Sequence, residues 1–481
     1  MALKTREEYL DSLRGQRPEV YMMGERVEDV ASHPLYQGGI NAVAATYSAA
    51  HSDELKHLAV SKSDIVNQDV NTLVNLPRNS EDIIRRVKLM RELTQRHICV
   101  MRCLTGDALN ALWASTFDCD EKHGTGYHER FQEYLKYVQN NDLTVATAMT
   151  DVKGDRSLRP GQQKDADLYL HIVEKRDDGI VVRGAKANIT GAPYAHEMMV
   201  LPTRDIREEE SDYAVAFAVP VATSGIRYIS RPPDISREKR EIERPIRRKY
   251  GHVENLVVFD DVFVPSERVF LCGEWDMAAS AVLGFANIHR GNSKCGCKSG
   301  QLDMMIGAAA LIADYNGLAK APIIRDKLAE MVMTAEIGYS CGIAAAVDGR
   351  MHPSGEFMIN FLQANVGKYL ASAEIGEDFK LLQDIGGGLV VTMPTEKDFR
   401  HPVIGEDMDK YLKGRDGVPT EHRIRAFKLI EDLTASAFSG WLMGISLNGA
   451  GSPMAEKIEA MRNYDLKKRL AIVKELAGIK D

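Results

Sequence analysis

Leu168-Tyr169-Leu170-His171-Ile172-Val173 and Ile180-Val181-Val182-Arg183, joined through Asp177-Asp178-Gly179, decide the architecture. Apolar, β-branched and aromatic residues flanking an Asp-Gly pair predict a β-hairpin. Tyr213–Val221 and Leu256–Val264 repeat that texture, so residues 141–276 are expected to form a β-rich middle domain.

On both sides the period changes to that of helices. Between Glu7 and Asn140, Ile83, Ile84, Val87, Met90, Leu93 and Leu104 fall on a helical stripe. Ser80, followed by Glu81 and Asp82 and preceded by Pro77, reads as the N-cap of that run. Past Met277 four apolar stretches (Gln301–Ala319, Pro322–Val347, Phe357–Ile385 and Thr420–Leu447) predict long helices. The expectation is an α+β fold: an N-terminal helical domain (1–140), a middle β domain (141–276) and a C-terminal helical bundle (277–481).

With 481 residues, 44% hydrophobic and 27% charged, the chain can bury a large core without disulfide staples. Its start is charged from Lys4 onward, and no apolar run reaches membrane-spanning length, so a cytoplasmic protein is expected. A net charge of −8 argues against nucleic acid as a partner. The basic run from Arg237 to Lys249, with Arg240, Arg244, Arg247 and Arg248, reads as solvated surface or as a site for an anionic cofactor tail.

Seven cysteines in a reducing compartment point to free thiols or metal ligands. Cys99 and Cys103 stand four apart in a helical context, one turn from each other on one face. Almost two hundred residues later, His289 to Lys298 adds a histidine and the thiols of Cys295 and Cys297. If the two segments meet, they make a soft donor set for zinc or for an iron–sulfur cluster, and spacing does not separate the two. Cys119, Cys272 and Cys341 have no partner motif and read as structural.

Five stretches carry a family resemblance: Cys99 to Cys103, Asp151-Val152-Lys153-Gly154-Asp155-Arg156-Ser157, Arg183 to Lys186 leading to Thr190-Gly191-Ala192-Pro193, Val257 to Pro265, and Gly449 to Pro453. Through them nearly the whole chain resembles the 4-hydroxyphenylacetate 3-hydroxylase family of flavoproteins, with an acyl-CoA dehydrogenase-like fold. The cysteine pair and the His/Cys segment resemble its 4-hydroxybutyryl-CoA dehydratase branch. The resemblance implies FAD and a 4Fe-4S cluster held by Cys99, Cys103, His289 and Cys297, with Cys295 competing for the last place.

For the flavin it implies Met149, Thr150, Asp151, Lys153, Gly154, Asp155, Arg156 and Ser157, with Thr190 near the reactive ring. Gly386, Gly387 and Gly388 would receive part of the cofactor of a neighbouring subunit in a homotetramer; the bland reading of a glycine triplet is a helix terminus. Catalytic roles would fall to His289, Glu254 and Lys298. The bland readings are a buried hydrogen-bonded histidine, a surface glutamate and a solvent-facing lysine. The implied reaction is radical dehydration of a 4-hydroxyacyl-CoA such as 4-hydroxybutyryl-CoA to crotonyl-CoA, with vinylacetyl-CoA Δ-isomerisation. The C3 proton, which the carbonyl does not acidify, becomes removable after transient oxidation.

Three departures lie close to this site. Met101 stands where the branch carries glutamine, Ser293 where it carries tyrosine, and Ile445 where it carries glutamate. The interval from His289 to Cys297 is also one residue longer. Together they imply either a divergent dehydratase or a paralogue with a related elimination or isomerisation. The oxygenases of the wider family, which use flavin without a cluster, are the other alternative.

Overall fold

The computed structural model describes residues 3–232 and 242–479; Arg237 and Arg240 of the basic run lie outside them. The predicted hairpin forms from β4 (His171–Arg176) and β5 (Gly179–Thr190), and these strands sit at one edge of a six-stranded sheet. The sheet continues through β9 (Glu254–Pro265) and β8 (Ile226–Arg231), both antiparallel, and ends in β1 (Glu19–Met22) and β2 (Glu25–Val27). A smaller sheet contains β10 (Val269–Cys272), β7 (Val215–Pro220), β6 (Glu197–Val200) and β3 (Val145–Ala148), in that order. Apolar residues from both sheets close a shared core in which Phe217 meets Phe259 edge-on, 6.1 Å between ring centroids.

Strands β1 and β2 correct the reading of the first 140 residues as helical, since β1 lies parallel to β8 in the large sheet. Their alternation is short, Glu19-Val20-Tyr21-Met22 burying every second residue, and the longer helical stripe around it masks the period. Helix α1 (Ser80–His97) follows the predicted stripe, but its cap is Asn79, whose side chain accepts from the Asp82 amide. It ends at Ile98, where φ reaches +59°, and α2 (Cys103–His123) begins five residues on. Cys99 and Cys103 therefore do not share one helix. Cys99 occupies the connector and Cys103 the first turn of α2.

The C-terminal region is helical: α3 (Ala278–Ile288), α4 (Cys295–Tyr315), α5 (Pro322–Val347), α6 (Phe361–Gly386), α7 (Thr420–Thr434) and α8 (Ala437–Asn448). Phe357 and Met358 pair with Arg350 and Met351 as a small ribbon, so the third predicted helix starts at Phe361. The fourth breaks at Ala435, and the Ser436 hydroxyl caps the second half by accepting from the amides of Phe438 and Ser439. Between α3 and α4, within the interval from His289 to Cys297, runs a π-helical turn, His289–Lys294. No helix among the described residues is long and apolar enough to cross a membrane.

One contact brings the distant segments together. At Gly296 a Cβ would stand 2.2 Å from the Val87 carbonyl oxygen, and at Gly300 2.3 Å from that of Arg91. Two glycines one turn apart thus let α4 touch α1 backbone to backbone. The Thr94 hydroxyl of α1 then donates to the Cys297 carbonyl at 3.0 Å.

Candidate active site

A cavity of about 440 Å³ opens between the end of β5, the start of β9, the Cys99–Cys103 connector, the π turn and α8. Cys99, Cys103, His289 and Cys297 all reach its wall. Cys295 does not. A Cβ on Gly367 would lie 2.8 Å from its sulfur and one on Gly342 2.6 Å from its Cβ, placing Cys295 in the seam of α4, α5 and α6. Cys119, Cys272 and Cys341 are free and outside the cavity.

Three of the four, Cys99, Cys297 and His289, are held from behind. The His252 Nε2–H donates to the Cys99 carbonyl at 3.0 Å while its Nδ1 accepts from the Tyr194 hydroxyl at 2.9 Å. The Gln301 amide donates to the Cys297 sulfur at 3.6 Å. His289 Nδ1–H donates to Asp107 Oδ2 at 2.7 Å, so in the neutral ring the Nε2 lone pair is the free one. Asp107, one turn beyond Cys103 on α2, also accepts from the Ser293 hydroxyl at 2.5 Å and pairs with Arg86 at 3.5 Å.

Burial pushes the thiols of Cys99, Cys103 and Cys297 up and the imidazole of His289 down. A bound cation opposes this desolvation by stabilising thiolates. The ligand atoms of Cys103, Asp107 and His289 lie within 4.8 Å of one another, close enough to hold a metal ion. With Asp107 engaged by Arg86 and Ser293, its geometry is that of the carboxylate behind a ligating histidine. Three thiols and one imidazole nitrogen facing one space fit a thiophilic metal centre.

Across the cavity Thr190 and Glu254 are paired residues at the joined ends of β5 and β9. The Thr190 hydroxyl donates to both Glu254 oxygens, at 2.9 and 3.1 Å, and the Trp441 indole N–H of α8 donates to Oε1 at 2.7 Å. Burial nevertheless pushes the Glu254 carboxyl above its ordinary value, against these hydrogen bonds. Met149 and Thr150 line the cavity, while Asp151 is buried against Lys186 at 2.8 Å and lies outside it.

The remaining predicted residues are more scattered. Gly154, Asp155, Arg156 and Ser157 are exposed and Lys153 half-buried in the loop beyond Asp151. Gly386 ends α6 and Gly387, at φ +76°, caps it, away from the cavity. Lys298 is buried rather than solvent-facing: its ammonium donates to Gln301 at 2.8 Å and to the Ser446 hydroxyl at 2.7 Å.

Sequence reasoning missed Asp107, Trp441 and Lys294, the last two in the cavity wall. Asp107 was signalled by its place four residues after Cys103; the other two carried no signal. Of the three departures, Met101 and Ile445 line the cavity, whereas Ser293 is turned onto Asp107.

The 4-hydroxyphenylacetate 3-hydroxylase N-terminal model matches residues 5–271 and the corresponding C-terminal model residues 278–478. The chain belongs to this family. It is 42% identical over 490 residues to the 4-hydroxybutyryl-CoA dehydratase/vinylacetyl-CoA-Δ-isomerase of Clostridium aminobutyricum, covering 99% of this chain and 100% of that one. The structure of an oxygen-tolerant archaeal 4-hydroxybutyryl-CoA dehydratase from N. maritimus superposes with a TM-score of 0.95 at 39% identity, covering 100% of this chain and 96% of the other. The 4-hydroxyphenylacetate 3-monooxygenase oxygenase component of Thermus thermophilus is more distant, 26% identical over 90% of this chain and 89% of its own length. A relative solved with FAD superposes at TM-score 0.89 and 24% identity, a likeness of fold.

Proposed function

We propose that the chain is a lyase that dehydrates a 4-hydroxyacyl-CoA such as 4-hydroxybutyryl-CoA to crotonyl-CoA and isomerises vinylacetyl-CoA, using FAD and a 4Fe-4S cluster. The convergence of Cys99, Cys103, His289 and Cys297 on the cavity that also holds Thr190 and Glu254 carries this reading. The dehydratase relatives, similar over the full chain, support it. The acyl-CoA dehydrogenase-like view of the fold belongs to the same reading, with the site at the junction of sheet and helices.

When bound, the flavin supplies one-electron chemistry and the cluster a Lewis acid for an oxygen atom. Cys99, Cys103 and Cys297 would hold three irons and His289 Nε2 the fourth; Cys297 is favoured over Cys295 because it alone faces the cavity. Asp107 fixes the tautomer that makes Nε2 the ligand. Glu254 is the proton carrier, aimed by Thr190 and Trp441, and its raised pKa suits it to take and return a carbon-bound proton. Lys298 acts through its neighbours, pinning Gln301, which touches the Cys297 sulfur, and Ser446 of α8. Met149 and Thr150 would face the flavin, with the loop of Lys153 to Ser157 following its extended part.

A homotetramer accounts for Gly386 to Gly388 lying away from the cavity, where they would meet a neighbour's cofactor, and for the exposed apolar residues Ile323, Met333 and Ile337 of α5. Met101 and Ile445 in the cavity wall favour a second reading, the same chemistry on a different acyl-CoA.

Anaerobic purification followed by iron, sulfide and flavin analysis, then turnover of 4-hydroxybutyryl-CoA and vinylacetyl-CoA, tests the proposal. Four irons, four sulfides and one FAD per chain with crotonyl-CoA as product are expected. Flavin without iron, or zinc in its place, would sink it. A full cofactor complement that leaves both thioesters untouched would select the second reading.

A further inference from the structure

The cavity contains a buried cation that neither the metal donors nor the flavin side uses. Lys294 is 7% exposed and lines the wall next to His289 and Cys297. Its ammonium has one acceptor among the described residues, the Ile445 carbonyl at a long 3.3 Å. An ammonium carries three N–H donors, so two are left for a guest.

The other buried cations nearby are committed. Lys298 is held by Gln301 and Ser446, Lys368 by Glu456 and Ser372, and Arg290 by the Ala450 carbonyl, Asn287 and Asn365.

The π turn explains why Lys294 points inward. Residues five apart in an α-helix diverge by about 140°, which would turn Lys294 away from His289. The wider turn brings it round to the cavity side. Gly449 clears the space, since a Cβ there would stand 2.8 Å from the ammonium nitrogen. Lys294 shares the cavity wall with Cys99, Cys103, Cys297 and His289, and its charge acts on all four. Arg231, by contrast, is exposed at the rim.

We propose that Lys294 binds the oxygen of the substrate's leaving hydroxyl and is a catalytic and specificity residue for C–O cleavage. This inference rests on the dehydratase reading. In the overall reaction C2 and C3 each lose one proton, C4 gains one, and the C–O bond breaks with its electron pair on oxygen, which takes the other proton and leaves as water. Atoms and electrons balance without an external oxidant. The charge that develops on oxygen does so beside a fixed ammonium, where a donor lowers the barrier. Isomerisation of vinylacetyl-CoA moves a proton between carbons and breaks no C–O bond, so it makes no demand on Lys294.

The two activities therefore test the proposal in the holoenzyme. With iron, sulfide and FAD content matched to the parent, Lys294→Met is expected to slow dehydration about 100-fold or more, as loss of a transition-state donor does, while isomerisation stays within about threefold. Lys294→Arg, which keeps charge and donors, should recover a large part of the loss. Binding supplies an independent readout: the parent should hold 4-hydroxybutyryl-CoA about tenfold or more tighter than butyryl-CoA, and Lys294→Met should erase the difference. Equal loss of both activities, or no loss of either, overturns the role of Lys294 alone. A fully loaded parent enzyme that converts neither thioester overturns the dehydratase reading and this inference with it.

Discussion

The two walls of the cavity were built by different rules. On one side Cys99, Cys103, His289 and Cys297 come from two segments almost two hundred residues apart, and backbone contacts at Gly296 and Gly300 hold those segments together. On the other, Met149, Thr150 and Thr190 reach the cavity, but Gly154 to Ser157 trail across the surface and Gly386 to Gly388 lie elsewhere. A compact cluster demands donors fixed within a few ångströms. On the proposed reading an extended dinucleotide would be met piecemeal, partly on loops that carry little of the fold.

Cysteine replacements test the first wall most severely. Cys297→Ser is expected to abolish dehydration and lower the iron content, whereas Cys295→Ala keeps full iron and costs about 1–2 kcal/mol of packing in the seam of α4, α5 and α6. Iron and sulfide counts on the two purified proteins check this, and equal iron loss from both would erase the distinction between them.

Across the cavity, Glu254→Gln should reduce both activities about 10²- to 10⁴-fold with cofactors retained. Trp441→Phe is gentler and moves a pH profile. The indole hydrogen bond favours the carboxylate, so its loss raises the Glu254 pKa further and shifts the limb of the rate that needs ionised Glu254 to higher pH. A rate profile unmoved in Trp441→Phe would remove Glu254 from that limb.

Gly300→Ala drives a methyl group into the Arg91 carbonyl and the Thr94 hydroxyl. A cost of about 1–3 kcal/mol, read by thermal or denaturant unfolding, should come with reduced iron as α1 and α4 part. The flavin-side counterpart has the smallest effect on the fold. Asp155→Ala on the exposed loop should leave the melting temperature unchanged while weakening FAD binding, measured by titrating flavin-depleted protein. A large loss of stability there would mean that the loop is as structural as the glycine seam.

The difference between the walls also explains what was legible in the sequence. The hairpin of β4 and β5 was readable from its Asp-Gly turn and the β-branched run of Ile180 to Val182, and the long C-terminal helices from apolar periods that the structure interrupts only at Ala435 and ahead of Phe361. Cys99 and Cys103 share a wall as expected, for a different reason: the chain turns at Ile98 before α2 begins, and a helical spacing does not reveal such a break. Strands β1 and β2 were hidden because β8, the partner that ties β1 into the large sheet, lies some two hundred residues away, and local alternation over three or four residues is too short to read. The glycine seam was invisible for the opposite reason. A glycine's function here is the backbone that approaches it, and nothing in Gly296 or Gly300 names Val87 or Arg91.

The π turn from His289 to Lys294 gives this site an unusual freedom to diverge. A residue inserted into an α-helix swings everything beyond it by about 100°, which would carry Cys297 out of the cavity. Where the helix widens, one added residue is taken up locally, and α4 keeps its phase against α1. New side chains can therefore enter the cavity wall by small changes in chain length, while Cys297 keeps its place in it.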